Sequence, residues 1–201
     1  MVSPRNSAGC SSSGVVKVGP WGAGSGGRPW DDGGGYTGIR SITIQAYGIV
    51  EAINVEYDLY GLPVLGKNEY IPVASTELYT EKINLNFPDE FLTTVKGWID
   101  HQQIIDLQFK TSQQRTFGPF RRGAYPWSVI RASLFECSVD GAGAIVGFSG
   151  RSSQFKINSI ALYVATLCPA SHFYKKMEEQ GLVAYRTSPL CMPRPDWASL
   201  R

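Results

Sequence analysis

The feature that most constrains this chain is a succession of short alternating segments, separated by turn residues about every ten positions, between residues 15 and 165. In such a segment every second residue is apolar, which places the apolar side chains on one face of a β-strand. The segment SITIQAY shows this well, since Ile42, Ile44 and Ala46 share a face. No convincing amphipathic helix precedes residue 170. The pattern therefore predicts an all-β domain whose sheets are closed or packed together to hide their edges.

The next segment, IVEAINVEYDLYG, predicts a second strand, with Glu51 as the one charged residue on its apolar face. The other residues expected on that face are Ile49, Ile53, Val55, Tyr57 and Leu59. Tyr47-Gly48, between the two segments, can form the turn of a hairpin. The less regular stretch 62–74 contains two prolines, which predict an edge strand or a loop.

The ends of the chain lack this pattern. Residues 1–14 are rich in Ser, Gly and Pro, which predicts a flexible N-terminal arm. Residues 166–201 are predicted to form a poorly ordered C-terminal extension, although residues 171–181 could form about two helical turns with Ser171 as N-cap. One folded domain is thus expected over residues 15–165.

Composition excludes several classes of function. With 43% hydrophobic residues, 18% charged residues and a net charge of +2, the 201 residues describe a soluble globular protein. No run of Lys and Arg exceeds two residues, so no nucleic-acid partner is expected. No apolar run suits a signal peptide or a membrane span, which favours a cytoplasmic or nucleocytoplasmic location.

Residues for catalysis or cofactor binding are not arranged in a recognisable way. The four cysteines show no CxxC spacing, and with only two histidines in the chain neither a metal site nor a cofactor is expected. Ser149, Ser152 and Ser153 have no His and Asp partners at a recognisable spacing. The glycines of 22–27 are not followed by a helix or a GK[ST] string, so they do not form a phosphate loop. The sequence predicts that the protein is not an enzyme.

The stretch GFSGRSSQFKINSIALY, residues 147–163, points to a different activity. It predicts a strand, a polar loop over residues 151–158, and a second strand that begins near Asn158. A short loop held between two strands presents its donors and acceptors at fixed positions. Such a loop can bind the hydroxyl groups of a sugar.

Several separate stretches of the chain resemble the plant jacalin-related lectins, and the resemblance covers residues 15–165. The stretches are GPWGAGSGGRPWDDGGGYTGIRSITI, INVEYDLYG, PDEFLTTVKGW, RTFGPF and AIVGFSGRSS…NSIALYV. The resemblance implies a β-prism, in which three four-stranded Greek-key sheets surround a pseudo-threefold axis. It also implies a non-catalytic protein that binds sugar between loops at one end of the prism.

The same resemblance implies the residues of the sugar site. One half is a glycine-rich loop, which corresponds here to Gly26 and Gly27. The other half corresponds to Gln154, Phe155, Lys156 and Asn158, where Phe155 and Lys156 would donate backbone N–H groups and Asn158 would accept two sugar hydroxyls. The chain is unbroken before its WDDG motif, which in this family goes with mannose or glucose rather than galactose.

Three departures from the family pattern weaken this expectation. Asn158 stands in place of an aspartate, Gln154 in place of a glycine, and the loop is one residue longer. Asparagine has one acceptor oxygen and no charge, so the exchange could cost about 1–2 kcal/mol of binding. A millimolar site has only about 4 kcal/mol in total. If the loop needs a positive φ at Gln154, glutamine would also be strained there.

Two functions therefore remain open. The first is a mannose- or glucose-type lectin that binds mannose-type glycans or glycoproteins, for which a homodimer would raise avidity. The second is a sugar-inactive domain of the same fold, acting as a protein-interaction or stress-associated scaffold. Packing is favoured over sugar stacking for Trp30, Tyr36 and Trp127, and a turn-capping role over acid–base chemistry for Asp31-Asp32.

Overall fold

In a computed structural model, the protein is described for residues 14–68, 79–120, 132–139, 143–154 and 156–166. Within these residues the chain forms twelve β-strands. They are β1 (Val15–Gly22), β2 (Arg28–Asp31), β3 (Gly38–Tyr47), β4 (Ile49–Leu59), β5 (Leu62–Leu65), β6 (Tyr79–Asn84), β7 (Leu92–Ile99), β8 (Ile104–Thr111), β9 (Thr116–Phe117), β10 (Ser133–Ser138), β11 (Gly143–Ser153) and β12 (Lys156–Thr166).

The strands form three groups of four. Their orders are β2-β11-β12-β1, β5-β4-β3-β6 and β9-β8-β7-β10, and in each group the two middle strands form a hairpin. The first and third groups are joined by a single pair, Ile145 opposite Leu92. The prediction of an all-β prism built from three four-stranded sheets is confirmed.

The core lies where the inner faces of the three groups meet. Every second residue of the middle strands points into it, in agreement with the alternation of Ile42, Ile44 and Ala46. The largest fully buried side chains come from all three groups and are Tyr57, Phe109, Phe120, Phe148, Ile39, Ile42, Ile44, Ile53, Leu92, Ile104, Leu107 and Ile145.

The start of β4 differs from the sequence prediction. Gln45 is opposite Ala52 but Ala46 is opposite Val50, so Glu51 is an extra residue at this point of the ladder. As a result Val50 is fully buried, whereas Ile49 is only half-buried. The extra residue explains why a charged side chain interrupts the predicted apolar face.

Two strands were not predicted. The first, β2, is short and its WDD sequence is typical of a turn, yet its residues pair with β11 from Ser149 to Ser152. The second, β10, alternates over only six residues, with Phe135 and Cys137 buried. Both lie at an edge of their group, where pairing with a longer strand provides the stabilisation.

One buried carboxylate ties the third group to the segment before it. Glu90 is fully buried, and its Oε1 accepts a 2.6 Å hydrogen bond from the Thr111 hydroxyl. Its Oε2 accepts hydrogen bonds from Arg115 at 2.8 Å and from the backbone N–H of Asn86 at 2.9 Å. A buried charge satisfied on both oxygens in this way fixes the positions of three segments.

The predicted helix at 171–181 lies outside the described residues, as do nearly all residues of the two predicted tails. In the parts of the chain that the structure describes, no helix has the length and apolar character needed to cross a membrane.

Candidate functional site

The hairpin β11–β12 holds one half of the expected site, and its strands are longer than the sequence indicates. Strand β11 runs to Ser153 and β12 begins at Lys156, so the polar loop predicted over residues 151–158 is wrong in extent. Arg151 is opposite Ser159 but Ser152 is opposite residue 157, which makes Asn158 the extra residue of a β-bulge. A bulge frees a side chain from strict alternation and redirects it.

The glycine loop between β1 and β2 lies directly against Asn158. Gly26 and Gly27 have φ angles of 82° and 62°, a conformation that glycine adopts freely. A Cβ on Gly27 would lie 2.6 Å from Asn158 Oδ1 and 2.6 Å from the carbonyl oxygen of Ser152. Any side chain at Gly27 would therefore clash, and the two halves of the expected site are in contact.

The side chain of Asn158 is 4% exposed, and its hydrogen bonds link three segments. Its Oδ1 accepts a 2.6 Å hydrogen bond from the Ser153 hydroxyl, and its Nδ2 donates to the Gln102 carbonyl at 3.3 Å. Its backbone carbonyl accepts a 2.8 Å hydrogen bond from the N–H of Ala23. Asn158 thus ties together the glycine loop, its own hairpin and the β7–β8 turn.

Arg151 also holds the glycine loop in place. Its Nε donates to the carbonyl oxygen of Gly26 at 2.6 Å, and its Nη2 donates to that of Gly27 at 3.0 Å. Charged donors form the stronger class of hydrogen bond. The loop is therefore held at consecutive carbonyl groups, which orders its backbone before any ligand arrives.

Trp30 connects the β11–β12 hairpin to the hydrophobic core. Its indole Nε1 donates a 2.8 Å hydrogen bond to the Ser152 hydroxyl, and its ring packs against the hydrophobic core. Tyr36 also packs on the core and stacks on Tyr57, with ring centroids 4.0 Å apart. The packing roles predicted for Trp30 and Tyr36 agree with these contacts, while Trp127 lies outside the described residues.

The remaining residues of the expected site lie at the tip of the hairpin. Gln154 is exposed, and the non-glycine residues with positive φ in the described chain are Tyr60 and Gln114, so the strain considered for Gln154 does not arise. Lys156 begins β12 opposite Ser153 and is half-buried. Phe155 lies outside the described residues. The roles of Gly26, Gly27, Gln154, Lys156 and Asn158 in sugar binding stay predictions.

An ion pair between β1 and β2 lies on the outer face of the first group of strands. Lys17 Nζ is 2.9 Å from Asp31 Oδ2, and the hydroxyl of Tyr163 donates to both oxygens of Asp31. Burial raises the pKa of the Asp31 carboxyl, but the hydrogen bonds from Lys17 and Tyr163 outweigh it and leave the pKa below its ordinary value. The hydrogen bond to Asp31 raises the pKa of Lys17. Asp31 also accepts from the N–H of Gly33, the turn-capping role that its sequence predicted.

The hairpin and the glycine loop meet at the Asn158 amide, whose polar atoms form hydrogen bonds with Ser153 and Gln102. In the described parts of the chain, no three His, Cys, Asp or Glu side chains are placed to hold a metal ion.

Comparison with known proteins identifies the family. A family model described as a jacalin-like lectin domain matches residues 18–163, so the chain belongs to the jacalin-related lectins. Lectins bind carbohydrate without transforming it, and the prediction that the protein is not an enzyme is confirmed by its relatives.

Individual relatives agree with this assignment. Jacalin-related lectin 19 of Arabidopsis thaliana is 33% identical over 151 residues, which are 75% of this chain and 81% of the relative. A mannose-specific jacalin-related lectin from Morus nigra, solved in complex with mannose, has a TM-score of 0.61 and 34% identity. That comparison covers 77% of this chain and 97% of the lectin. Artocarpin in its mannotriose complex gives a TM-score of 0.62 and 33% identity, covering 76% of this chain and 99% of artocarpin.

Sequence reasoning missed the residues that position the site. Ser153 and Gln102 bind the Asn158 amide, and Arg151 binds the glycine loop 124 and 125 residues away in sequence. The side chain of Arg151 projects from a strand whose polar end the sequence pattern assigns to a loop. No local pattern distinguishes such a residue from a solvated arginine.

Proposed function

We propose that the protein is a mannose- or glucose-type lectin that binds one pyranose where Gly26 and Gly27 meet Asn158. The observation that supports this most directly is the close approach of Gly27 to Asn158. A Cβ added to Gly27 would lie only 2.6 Å from Asn158 Oδ1. Two segments far apart in sequence come into contact there. The mannose complexes of similar lectins support a sugar of this type.

The chemistry of binding follows from the groups at this junction. In the proposal the backbone N–H groups of Phe155 and Lys156 donate to sugar oxygens, and Asn158 Oδ1 accepts from a sugar hydroxyl. An amide oxygen has two lone pairs, and Ser153 uses one of them. The sugar therefore finds one acceptor position rather than the two of a free carboxylate. Binding is expected to be weak at each site and to gain avidity from multivalent glycans or from a dimer.

A second function is favoured by the hydrogen bonds of Asn158. Both polar atoms of its side chain are satisfied within the protein, by Ser153 and by Gln102, and the side chain is almost fully buried. A side chain with these hydrogen bonds can stabilise the fold without taking part in ligand binding. The second candidate is accordingly a sugar-inactive protein-interaction scaffold, with a role in stress or defence.

A glycan array with the wild-type protein and Asn158→Asp tests the choice. The lectin function predicts mannose-type ligands for the wild type and stronger signals for Asn158→Asp, because an aspartate adds charge-assisted acceptance. Galactose-type glycans are the control and should stay at background. If neither protein retains any glycan while circular dichroism shows an intact fold, the scaffold function replaces the lectin.

A cytoplasmic or nucleocytoplasmic location belongs to the same proposal. Among the described residues Cys137 is a free thiol, the form in which a reducing compartment keeps cysteines. Imaging of the full chain with a fluorescent fusion would test it, and a signal confined to the secretory pathway would contradict it.

A further inference from the structure

A concave surface lies on the outer face of the first group of strands. It is an open groove of about 390 Å³ above β12 and β11, flanked by β1 and β2. Its floor consists of small residues, including Ser149 and Ala161, and its walls include Pro20 and Pro29. We call it the outer groove. Its volume falls in the range of small-molecule sites.

Ser149 places an unsatisfied hydroxyl at this floor. Phe148 is fully buried in the core, so the neighbouring Ser149 points to the opposite face of β11, where its partner across the ladder is Ala161. Ser149 is 2% exposed, and its Oγ has no hydrogen-bond partner among the described residues. A buried hydroxyl without a partner is unfavourable, and a ligand hydroxyl would relieve that cost.

The charged groups of the outer groove are already engaged with the protein. Lys17 and Asp31 form an ion pair in its wall, and Lys17 lies 5.1 Å from the centre of the Tyr163 ring. Arg151, which also lines the groove, donates to two backbone carbonyls of the glycine loop. A ligand with a net charge would have to compete with these pairs. An uncharged ligand with several hydroxyls can instead bind between them and use their remaining hydrogen-bonding capacity.

The outer groove also adjoins the proposed pyranose site. Gly24, which lines it, is two residues from Gly26, and Arg151 contacts both the groove and the glycine loop. We propose that the outer groove is a second carbohydrate subsite, which receives the uncharged pyranose unit next to the one bound at the junction of Gly27 and Asn158. Its proline walls suit the C–H faces of the ring, and the hydroxyl of Ser149 bonds to one of the ring hydroxyls. This inference rests on the proposed lectin function.

Calorimetric titration of the full chain with methyl α-mannoside and with the α-linked mannobioses tests the subsite. At least one mannobiose is expected to bind about tenfold more tightly than methyl α-mannoside, the effect of one or two net hydrogen bonds. Ser149→Ala should abolish this gain, leave the affinity for methyl α-mannoside unchanged and leave the fold as stable or more stable. A serine with only a structural role would not change the ratio of the two affinities.

A second pair of variants tests the shape of the groove. A Cβ at Gly24 meets nothing within 4 Å, so Gly24→Val should fold while narrowing the groove, and the mannobiose gain should fall. Gly35→Val is the matched control, because Gly35 is equally unobstructed and does not line the groove. Gly35→Val should still bind the mannobiose more tightly than methyl α-mannoside.

The outcomes separate this inference from the proposed function. If methyl α-mannoside binds and no mannobiose binds more tightly, or if Ser149→Ala and Gly24→Val keep the gain, the subsite is refuted and the lectin function stands. If neither sugar binds, both are refuted. If light scattering shows a dimer that Gly24→Val dissociates while the mannobiose gain remains, a second copy occupies the groove and the subsite is refuted.

Discussion

The hydroxyl of Ser153 donates a 2.6 Å hydrogen bond to Oδ1 of Asn158, the atom expected to accept a sugar hydroxyl. The two residues are five positions apart, at the facing ends of β11 and β12. The protein thus provides internally the kind of contact that a pyranose would provide from outside. Any sugar at this position competes with Ser153 for part of the acceptor.

Replacing Ser153 tests that competition. For Ser153→Ala we expect the affinity for methyl α-mannoside to rise about two- to tenfold, because one neutral hydrogen bond contributes about 0.5–1.5 kcal/mol. The free protein should lose about 1–3 kcal/mol of unfolding free energy, since a buried acceptor loses its donor. Calorimetry and urea denaturation measure the two effects. Ser133→Ala, on the third group of strands, is the control, and an unchanged or lower affinity in Ser153→Ala would refute the competition.

Asn158→Asp should lower the free energy of unfolding while it raises the affinity for sugar. Nδ2 of Asn158 donates to the Gln102 carbonyl at 3.3 Å, and the variant would place a carboxylate oxygen against that carbonyl. We expect the free energy of unfolding to fall by about 1–3 kcal/mol at neutral pH, the cost of losing a buried donor. Urea denaturation, compared with Asp89→Asn as an exposed control, measures the change. A variant as stable as the wild type would show that the Gln102 contact has no energetic role.

Gly27→Ala should disrupt the junction itself. The φ of Gly27 is 62°, and the new Cβ would clash with Asn158 Oδ1 and the Ser152 carbonyl. We expect a loss of about 1–3 kcal/mol in unfolding free energy, the typical cost of a strained backbone position, together with loss of mannose binding. Gly24→Ala is the matched control, because its Cβ meets nothing within 4 Å. Thermal denaturation measures both variants, and equal melting temperatures would contradict this assignment.

The Lys17–Asp31 pair should give a small dependence of stability on pH. The pKa of Asp31 is lowered, so its contribution is present above pH 3.8 and is lost as the pH falls through the lower pKa of the folded state. The pKa of Lys17 is raised, so its contribution is complete below pH 10.5 and is lost as the pH rises through the higher folded-state value.

Because both side chains are nearly half exposed, the pair should contribute less than about 1 kcal/mol. Denaturation of wild type and Asp31→Asn across this range measures the difference. It should be constant at neutral pH, shrink at both extremes and weaken with salt. A difference that grows toward low pH would mean that the folded state raises the pKa of Asp31 instead of lowering it.

Glu90→Gln should destabilise the protein away from both proposed sugar sites. Its Oε2 accepts hydrogen bonds from Arg115 and from the Asn86 N–H, and an amide would turn one acceptor oxygen into a donor facing other donors. Leaving a buried group unsatisfied costs about 1–3 kcal/mol. Asp89→Asn is the neighbouring exposed control and should change little. Sugar affinity should stay unchanged in both variants, as measured by calorimetry.

The sequence was sufficient for the architecture because alternation is a local signal. Ile42, Ile44 and Ala46 follow one another at every second position, and all three are fully buried. Prediction from the sequence failed where one extra residue changes the strand register, at Glu51 and again at Asn158. A β-bulge depends on the partner strand, which the local sequence does not contain. The contact between Asn158 and Gln102 spans 56 residues, so only the folded chain reveals it.

The first sheet combines β1 and β2 with β11 and β12, strands from opposite ends of the described chain. During synthesis the glycine loop therefore emerges long before the hairpin against which it closes. Recognition at the proposed site can begin only after β12 has been synthesised and has inserted between β1 and β11. Under the proposed lectin function, glycan binding would report on completed folding, because a chain without β12 lacks Asn158.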